Sequence, residues 1–372
     1  MKAEFIEVPY VDLAAQHAPL KAALLKAAAR VIDHGQFILG PEVAEFEGRF
    51  AALCGARRAV GVNSGTDALL LSLRALGVGP GDEVITAPNS FVASASCIEL
   101  TGAKPVFVDA GADYNLDPAK IDSAVTKRTK AILPVHLTGR AADMTGIMAV
   151  ARRRGLLVVE DCAQAVLAEH RGRRVGTFGA AGCFSLHPLK TLNACGDGGV
   201  VVTNDGALAD RLLVLRNIGL KTREDCVVWS GNSRLDTLQA ALLLVKLGRL
   251  EAWTRRRRAN AAFYRKALAG TRGIEVPGEH AHERAVYHTL VVQADRRDDL
   301  RRFLAGRGVR TSIHYPVPIH LQTAAAELGL GPGSFPVAER QAARILSLPV
   351  HPELTSVQLR HVVGCIKDFY RS

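Results

Sequence analysis

Short apolar runs alternate with longer segments of helical period through the first half of the chain. Ala59-Val60-Gly61-Val62, Glu83-Val84-Ile85-Thr86, Pro105-Val106-Phe107-Val108-Asp109, Ala131 to His136 and Leu156 to Glu160 read as strands. Ala68 to Leu76, Phe91 to Leu100 and Thr145 to Arg154 read as helices. Asn63-Ser64-Gly65-Thr66-Asp67 and Gly79-Pro80-Gly81-Asp82 are turns. The strands are apolar on both sides, so both faces of their sheet are covered. The pattern predicts an α/β fold with a mostly parallel central sheet and helices on both faces. Ligands of such sheets bind beyond the carboxyl ends of the strands. That rule selects Ser64 to Asp67, Asn89 to Phe91, His136, Asp161 and Ser185 to Lys190.

Ahead of this region lie a helix from about Ala14 to His34 and a second from Pro41 to Cys54, which opens on proline with acids in its first turns. Beyond it, one long helical stretch runs from Leu238 to Leu268, interrupted only by Gly248. Shorter strands (Tyr287 to Gln293, Thr311 to His314) and helices (Asp298 to Arg307, Thr355 to Tyr370) follow. This α+β pattern predicts a smaller second domain. The expected division is residues 1–245, the larger domain with its N-terminal helical segment, and 246–372.

Composition narrows the classes. A chain of 372 residues, 48% hydrophobic and 22% charged, suits a globular protein of two lobes. No apolar run approaches the roughly 18 residues of a membrane span. The segment from Met1 to Glu7 lacks the apolar centre of a signal peptide, so a cytoplasmic location is expected. Seven scattered cysteines form no CxxC pair, which argues against a disulfide framework or a metal site. The net charge of +11 comes largely from runs such as Arg152-Arg153-Arg154 and Arg255-Arg256-Arg257-Arg258. These read as solvated helix faces, with attraction of an anionic substrate as the sharper alternative. No aromatic-interleaved basic patch or motif supports nucleic-acid binding.

The chemistry centres on Gly182 to Lys190 and the glycine cluster Gly196-Asp197-Gly198-Gly199. An apolar strand enters a polar turn stiffened by Pro188, and the glycines let backbone approach a ligand closely. A lysine there, partly desolvated, loses its proton readily and becomes a nucleophile. Taken singly, the other candidates have ordinary readings too. Ser64-Gly65-Thr66-Asp67 is either a helix cap or a phosphate site. Asp161 meets either a local arginine or a protonated heterocycle nitrogen. Phe91 is core or a stacking face. Together, a phosphate site, a stacking aromatic, a buried aspartate and a lysine at one sheet edge meet the needs of pyridoxal phosphate.

The sequence also resembles the DegT/StrS-type sugar aminotransferases, enzymes of the fold type I pyridoxal-phosphate class. The resemblance covers almost the whole chain. It rests on Phe37-Ile38-Leu39-Gly40, Ser64-Gly65-Thr66-Asp67-Ala68-Leu69, Gly102 to Asp109, Pro134-Val135-His136-Leu137 and Glu160-Asp161-Cys162-Ala163-Gln164. It continues through Lys190 with Gly196-Asp197-Gly198-Gly199, Gly231 to Asp236 and His314-Tyr315-Pro316. The resemblance implies that Lys190 holds the cofactor as a Schiff base and carries protons, and that Asp161 faces the pyridine nitrogen. It implies that Phe91 stacks on the ring, that Gln164 lies near the other face or the ring hydroxyl, and that Gly65, Thr66, Ser185 and the Asp67 amide hold the phosphate. Asn232 is similar to a residue that reaches the phosphate from a neighbouring subunit, which implies a homodimer with shared active sites. His187, His314 and Tyr315 fall on the substrate side, with plain turn residues as the competing account. Thr138, Val166-Leu167 and His187 depart from the family pattern and concern the substrate.

The function expected is transfer of an amino group from glutamate or glutamine to a keto or aldehyde sugar in amino-sugar biosynthesis. A sugar dehydratase of the same fold is the nearest rival, but those relatives carry histidine where Lys190 stands. A non-catalytic cofactor-binding regulator is the alternative from another class.

Overall fold

A computed structural model of the protein describes residues 6–371. Met1 to Phe5 lie outside the described residues, and so does most of the segment on which the location was read.

The chain opens with α1 (Leu13–His17) and α2 (Lys21–His34), expected as one helix. Pro19 has no N–H to continue the ladder, and a 3₁₀ turn at Ala18–Leu20 separates the two. α3 (Pro41–Cys54) follows, then β1 (Arg58–Val62), α4 (Gly65–Ala75), β2 (Glu83–Thr86), α5 (Ala93–Glu99) and β3 (Lys104–Phe107). Next come α6 (Pro118–Ala124), β4 (Thr129–Ile132), α7 (Met144–Arg154), β5 (Leu157–Asp161), β6 (Glu169–His170) and β7 (Arg173–Arg174). β8 (Ala181–Ser185), β9 (Gly199–Thr203) and α8 (Gly206–Arg216) complete the large sheet and its cover.

That sheet has the order β1-β9-β8-β5-β4-β2-β3. β9 pairs antiparallel with β8 and β1, and the other pairings are parallel, so β9 alone runs against the rest. The strand alternation divides its side chains between two cores. Val201 packs with Leu69 and Leu73 of α4 and Leu208 and Leu212 of α8. Val200 and Val202 point the other way, onto Phe46 and Phe50 of α3. Ile85 and Ile132 meet Ile147 and Val150 of α7 on the same covered side as one another. Helices therefore cover both faces, as the apolar strands predict.

α9 (Thr237–Leu247) and α10 (Leu250–Leu268) replace the single long helix expected, and the break falls at Gly248. The boundary expected at 245/246 lies within α9. The remaining elements are β10 (Ile274–Glu275), β11 (Glu283–Arg284), β12 (Leu290–Ala294), α11 (Arg297–Gly306), α12 (Pro336–Arg344), β13 (Ile345–Leu348) and α13 (Ser356–Arg371). β10, β12 and β13 form a three-stranded sheet packed under Tyr264 and Leu268 of α10, Leu300 and Leu304 of α11, and Ile366 and Phe369 of α13. Thr311 to His314 is not a strand. Only Ser312 bridges to Ser347, and Pro316 and Pro318 soon follow with no amide to donate.

The arginine run on α10 also departs from expectation. Arg257 is 5% exposed, on the buried face with Trp253, Asn260 and Tyr264. Arg256 donates to the backbone oxygens of Pro352 and Leu354, and Arg258 pairs with Glu279 at 3.0 Å. The run on α7 is exposed as predicted, with Arg153 and Arg154 on Asp122.

One buried network fixes the end of β5. Glu160 is fully buried and accepts from the backbone N–H of Gly176, Phe178 and Gly179 at 2.7 to 2.8 Å. His136 Nδ1 accepts from the Ala142 amide, so its Nε2 carries the proton it gives to Glu160 at 3.1 Å. Cys162 lies close to both, and the three could hold a metal ion by position. The carboxylate and imidazole lone pairs are already engaged in these hydrogen bonds. Glu160→Gln puts an NH₂ against two of the four donors, whichever way the amide turns. We expect a loss of about 3 kcal/mol in unfolding free energy, read as a lower denaturant midpoint.

Candidate active site

The parallel strands end around a cavity of about 330 Å³. β1 leads into Ser64, the N-cap of α4, whose hydroxyl accepts from the Asp67 amide at 3.0 Å. The turn expected over residues 63–67 is thus largely the first turn of a helix. Its free N–H groups and positive dipole end make an anion cradle together with the hydroxyl of Ser185 at the end of β8. The cradle tolerates no extra atoms. A Cβ on Gly65 would lie 2.6 Å from that of Ser185, and one on Gly199 would lie 2.1 Å from the Ser64 carbonyl oxygen. Gly65→Ala should weaken cofactor binding by about 1–3 kcal/mol, or about 10- to 100-fold in Kd, measured by fluorescence titration.

Asp161 ends β5 and is buried. Pro134 interrupts the strand expected over 131–136, and the chain rejoins the sheet at a bridge between Val135 and Asp161, where the Asp161 amide donates to the Pro134 carbonyl at 2.8 Å and the His136 amide donates to the Asp161 carbonyl at 3.0 Å. The side chain accepts from Ser94 Oγ at 2.8 Å and from the Ala163 amide at 3.1 Å. Burial raises its pKa despite these bonds and the nearby charge of Lys190. Lys190 lines the same cavity, half-buried, in the turn after β8. Burial lowers the pKa of its amine, and the Asp161 charge opposes that shift only in part. Burial thus disfavours charge on both the Lys190 amine and the Asp161 carboxyl, which line one cavity.

Phe91 lies ahead of α5, not within it, which frees its ring to stand 54% exposed in the cavity wall. It packs against Tyr315 with ring centres 5.7 Å apart. Gln164 accepts from the Thr138 amide at 2.7 Å and donates to the Tyr315 hydroxyl at 3.2 Å. His314 bonds Ser347 Oγ through Nδ1 at 2.9 Å, and burial, with the Lys190 charge, lowers its pKa to about 4. His187 is exposed at the rim.

The cavity thus gathers Gly65, Thr66, Phe91, Asp161, Gln164, Ser185 and Lys190, and with them His187, His314 and Tyr315, the three expected on the substrate side. Asp67 and Asn232 stand apart from the wall. The Asp67 amide donates to the Ser64 hydroxyl. Asn232 is exposed, bridged to Asn217. Sequence reasoning missed Ser94, Arg257, His288 and Tyr10. Ser94 lies in the first turn of α5, at the end of the polar turn that the sequence places beyond β2.

A cradle for an anion, an apolar slot beside Phe91, a buried carboxylate awaiting a cation and a desolvated amine match the phosphate, ring, ring nitrogen and aldehyde of pyridoxal phosphate. The architecture is that of the fold type I pyridoxal-phosphate transferases. The chain belongs to the DegT/DnrJ/EryC1/StrS aminotransferase family, whose model matches residues 19–367. It is 47% identical to the erythromycin biosynthesis sensory transduction protein EryC1 of Saccharopolyspora erythraea, over 97% of this chain and 99% of that one. It is 46% identical to the dTDP-3-amino-3,4,6-trideoxy-alpha-D-glucose transaminase of Streptomyces venezuelae, over 99% of this chain and 97% of that one. The crystal structure of DesV from S. venezuelae superposes with a TM-score of 0.96 at 46% identity, covering 98% of this chain and 99% of the other.

Proposed function

We propose that this aminotransferase uses pyridoxal phosphate to move an amino group from glutamate or glutamine to the carbonyl carbon of a keto or aldehyde sugar, one linked to a nucleotide, in amino-sugar biosynthesis. The observation that carries the reading is the meeting of Lys190 and Asp161 in one cavity beside the α4 cradle. Lys190 would hold the cofactor through its amine, Asp161 through the ring nitrogen, and Gly65, Thr66 and Ser185 through the phosphate. Phe91 would cover one face of the ring and Gln164 the other. The bound cofactor supplies an electron sink for the carbon that loses or gains a proton. Burial keeps the Lys190 amine able to accept that proton and return it. The similarity to a dTDP-sugar transaminase supports the substrate class.

The name of the EryC1 relative favours a second reading, a regulator that binds cofactor without turnover. A desolvated lysine facing a buried aspartate is more than such a protein needs. The reading includes a homodimer in the cytoplasm. Phe37, Ile38 and Trp229 stand 49%, 51% and 87% exposed, and a partner subunit would cover them while Asn232 reaches its phosphate. It also includes the division at 245/246, since the β10-β12-β13 sheet has a core of its own. Among the described residues no helix is long and apolar enough to cross a membrane.

The test is an absorbance spectrum of the cofactor-loaded protein before and after glutamate. Loss of the yellow band, then its return when a dTDP-linked ketosugar is added, is the expected result. A band that glutamate and glutamine both leave unchanged overturns the transamination reading in favour of the regulator.

A further inference from the structure

The cavity has a polar end that the cofactor-holding residues leave unused. Arg257 lines it from the buried face of α10. Its Nη1 donates to the backbone oxygens of Tyr287 and His288 at 3.3 and 3.2 Å. Arg257 Nε, His288 Nδ1 and Thr289 Oγ1, all on residues of this wall, have no partner. Among the described residues no carboxylate oxygen comes within the 4.0 Å of an ion pair with this guanidinium. A buried cation left without a counter-ion is costly, and the cost is recovered only by an anion that enters.

The surroundings identify the anion. Burial lowers the pKa of Arg257 to about 10, against the pull of Glu353 and Tyr10, so it stays charged at neutral pH. His288 is held neutral by burial, helped by the charges of Lys190 and Arg257. His314 is neutral as well. These rings offer hydrogen bonds without charge. Lys190 and Arg257 are the lysine and arginine side chains of the wall, and the proposed function already employs Lys190. The hydroxyls of a sugar need no cation. A diphosphate outside the cavity has little access to a guanidinium 5% exposed. A small amino acid can enter fully, and a guanidinium fork matches a carboxylate through two parallel hydrogen bonds.

We infer that Arg257 holds a carboxylate of the amino-acid donor while the donor's amine approaches the Lys190 site. The inference rests on the glutamate-type donor of the proposed function. In Arg257→Gln the glutamate concentration that half-converts the absorption band should rise about 10- to 100-fold, and Arg257→Lys should recover part of the loss. Hydroxylamine, which attacks the cofactor and carries no carboxylate, should react as with wild type. In the wild-type holoenzyme glutarate should compete with glutamate and raise the melting temperature, and 1,5-pentanediol should do neither. An unmoved glutamate titration, or glutamate and hydroxylamine responses that fall together, overturns the inference. Glutarate that neither competes nor stabilises overturns it even if both variants fail to fold. A wild-type spectrum indifferent to glutamate instead sinks the donor reading itself, and this inference with it.

Discussion

Lys190→Ala folds, binds pyridoxal phosphate weakly and loses about 10⁴-fold or more of its transamination rate. Folding survives because the turn is held by backbone. The Lys190 amide donates to the His187 carbonyl at 2.8 Å, and its carbonyl accepts from Asn193 at 3.2 Å. Removing the amine also removes a charged group whose burial is unfavourable. The yellow band of lysine-held cofactor should be absent, although the α4 cradle still binds the phosphate. Arginine at the same position keeps the charge but cannot give up its proton, so Lys190→Arg should be nearly as inactive. Near-normal turnover in either variant would show that another group moves the proton. Stopped-flow absorbance with glutamate separates the outcomes.

The second large effect is expected at Asp161, and its sign differs between activity and stability. Asp161→Asn keeps the contacts with Ser94 and Ala163 but has no charge to offer a ring nitrogen. Turnover should fall about 10²- to 10³-fold. Stability of the cofactor-free chain should rise. Burial raises the Asp161 pKa, so the folded chain holds this proton more tightly than the unfolded chain does. The ionised carboxylate therefore costs stability as pH climbs out of the ordinary carboxylate range. Asparagine has no such cost. Without cofactor the variant should melt above wild type at neutral pH, and the gap should close in acid, where the unfolded carboxyl is protonated too. With cofactor the order narrows or reverses, since the ring nitrogen supplies the missing cation to wild type alone. Melting curves with and without pyridoxal phosphate across pH check both halves.

Much of this site can be read from sequence because the sheet makes it so. Strands such as Glu83–Thr86 and the helix Pro41–Cys54 fall where the pattern puts them, bounded by glycine and proline. Once strand ends are known, Asp161, Ser185 and Lys190 follow from topology alone. Arg257 escaped because four successive arginines look like a solvated face. Its place in the series Trp253, Arg257, Asn260 and Tyr264, spaced three to four residues apart, is the signal that could have revealed it. The smaller lobe was harder. Ile345–Leu348 follows α12 directly, with no turn residues between them to mark its start, and Ser312 owes its single bridge to a partner 35 positions away. At the Asp67 amide a cap and a phosphate cradle compete for one donor, and the sequence does not say which takes it.

The reversed strand β9 has a consequence for how the protein is made. β1 sits at the sheet edge with β9 as its strand neighbour, and the two are roughly 140 residues apart in the chain. A ribosome must deliver everything through Thr203 before β1 can join the sheet. Until then Ser64 and Gly65 have neither Gly199 nor Ser185 beside them. The nascent chain carries its phosphate cradle in two halves, and cofactor loading is a late event in the birth of the enzyme.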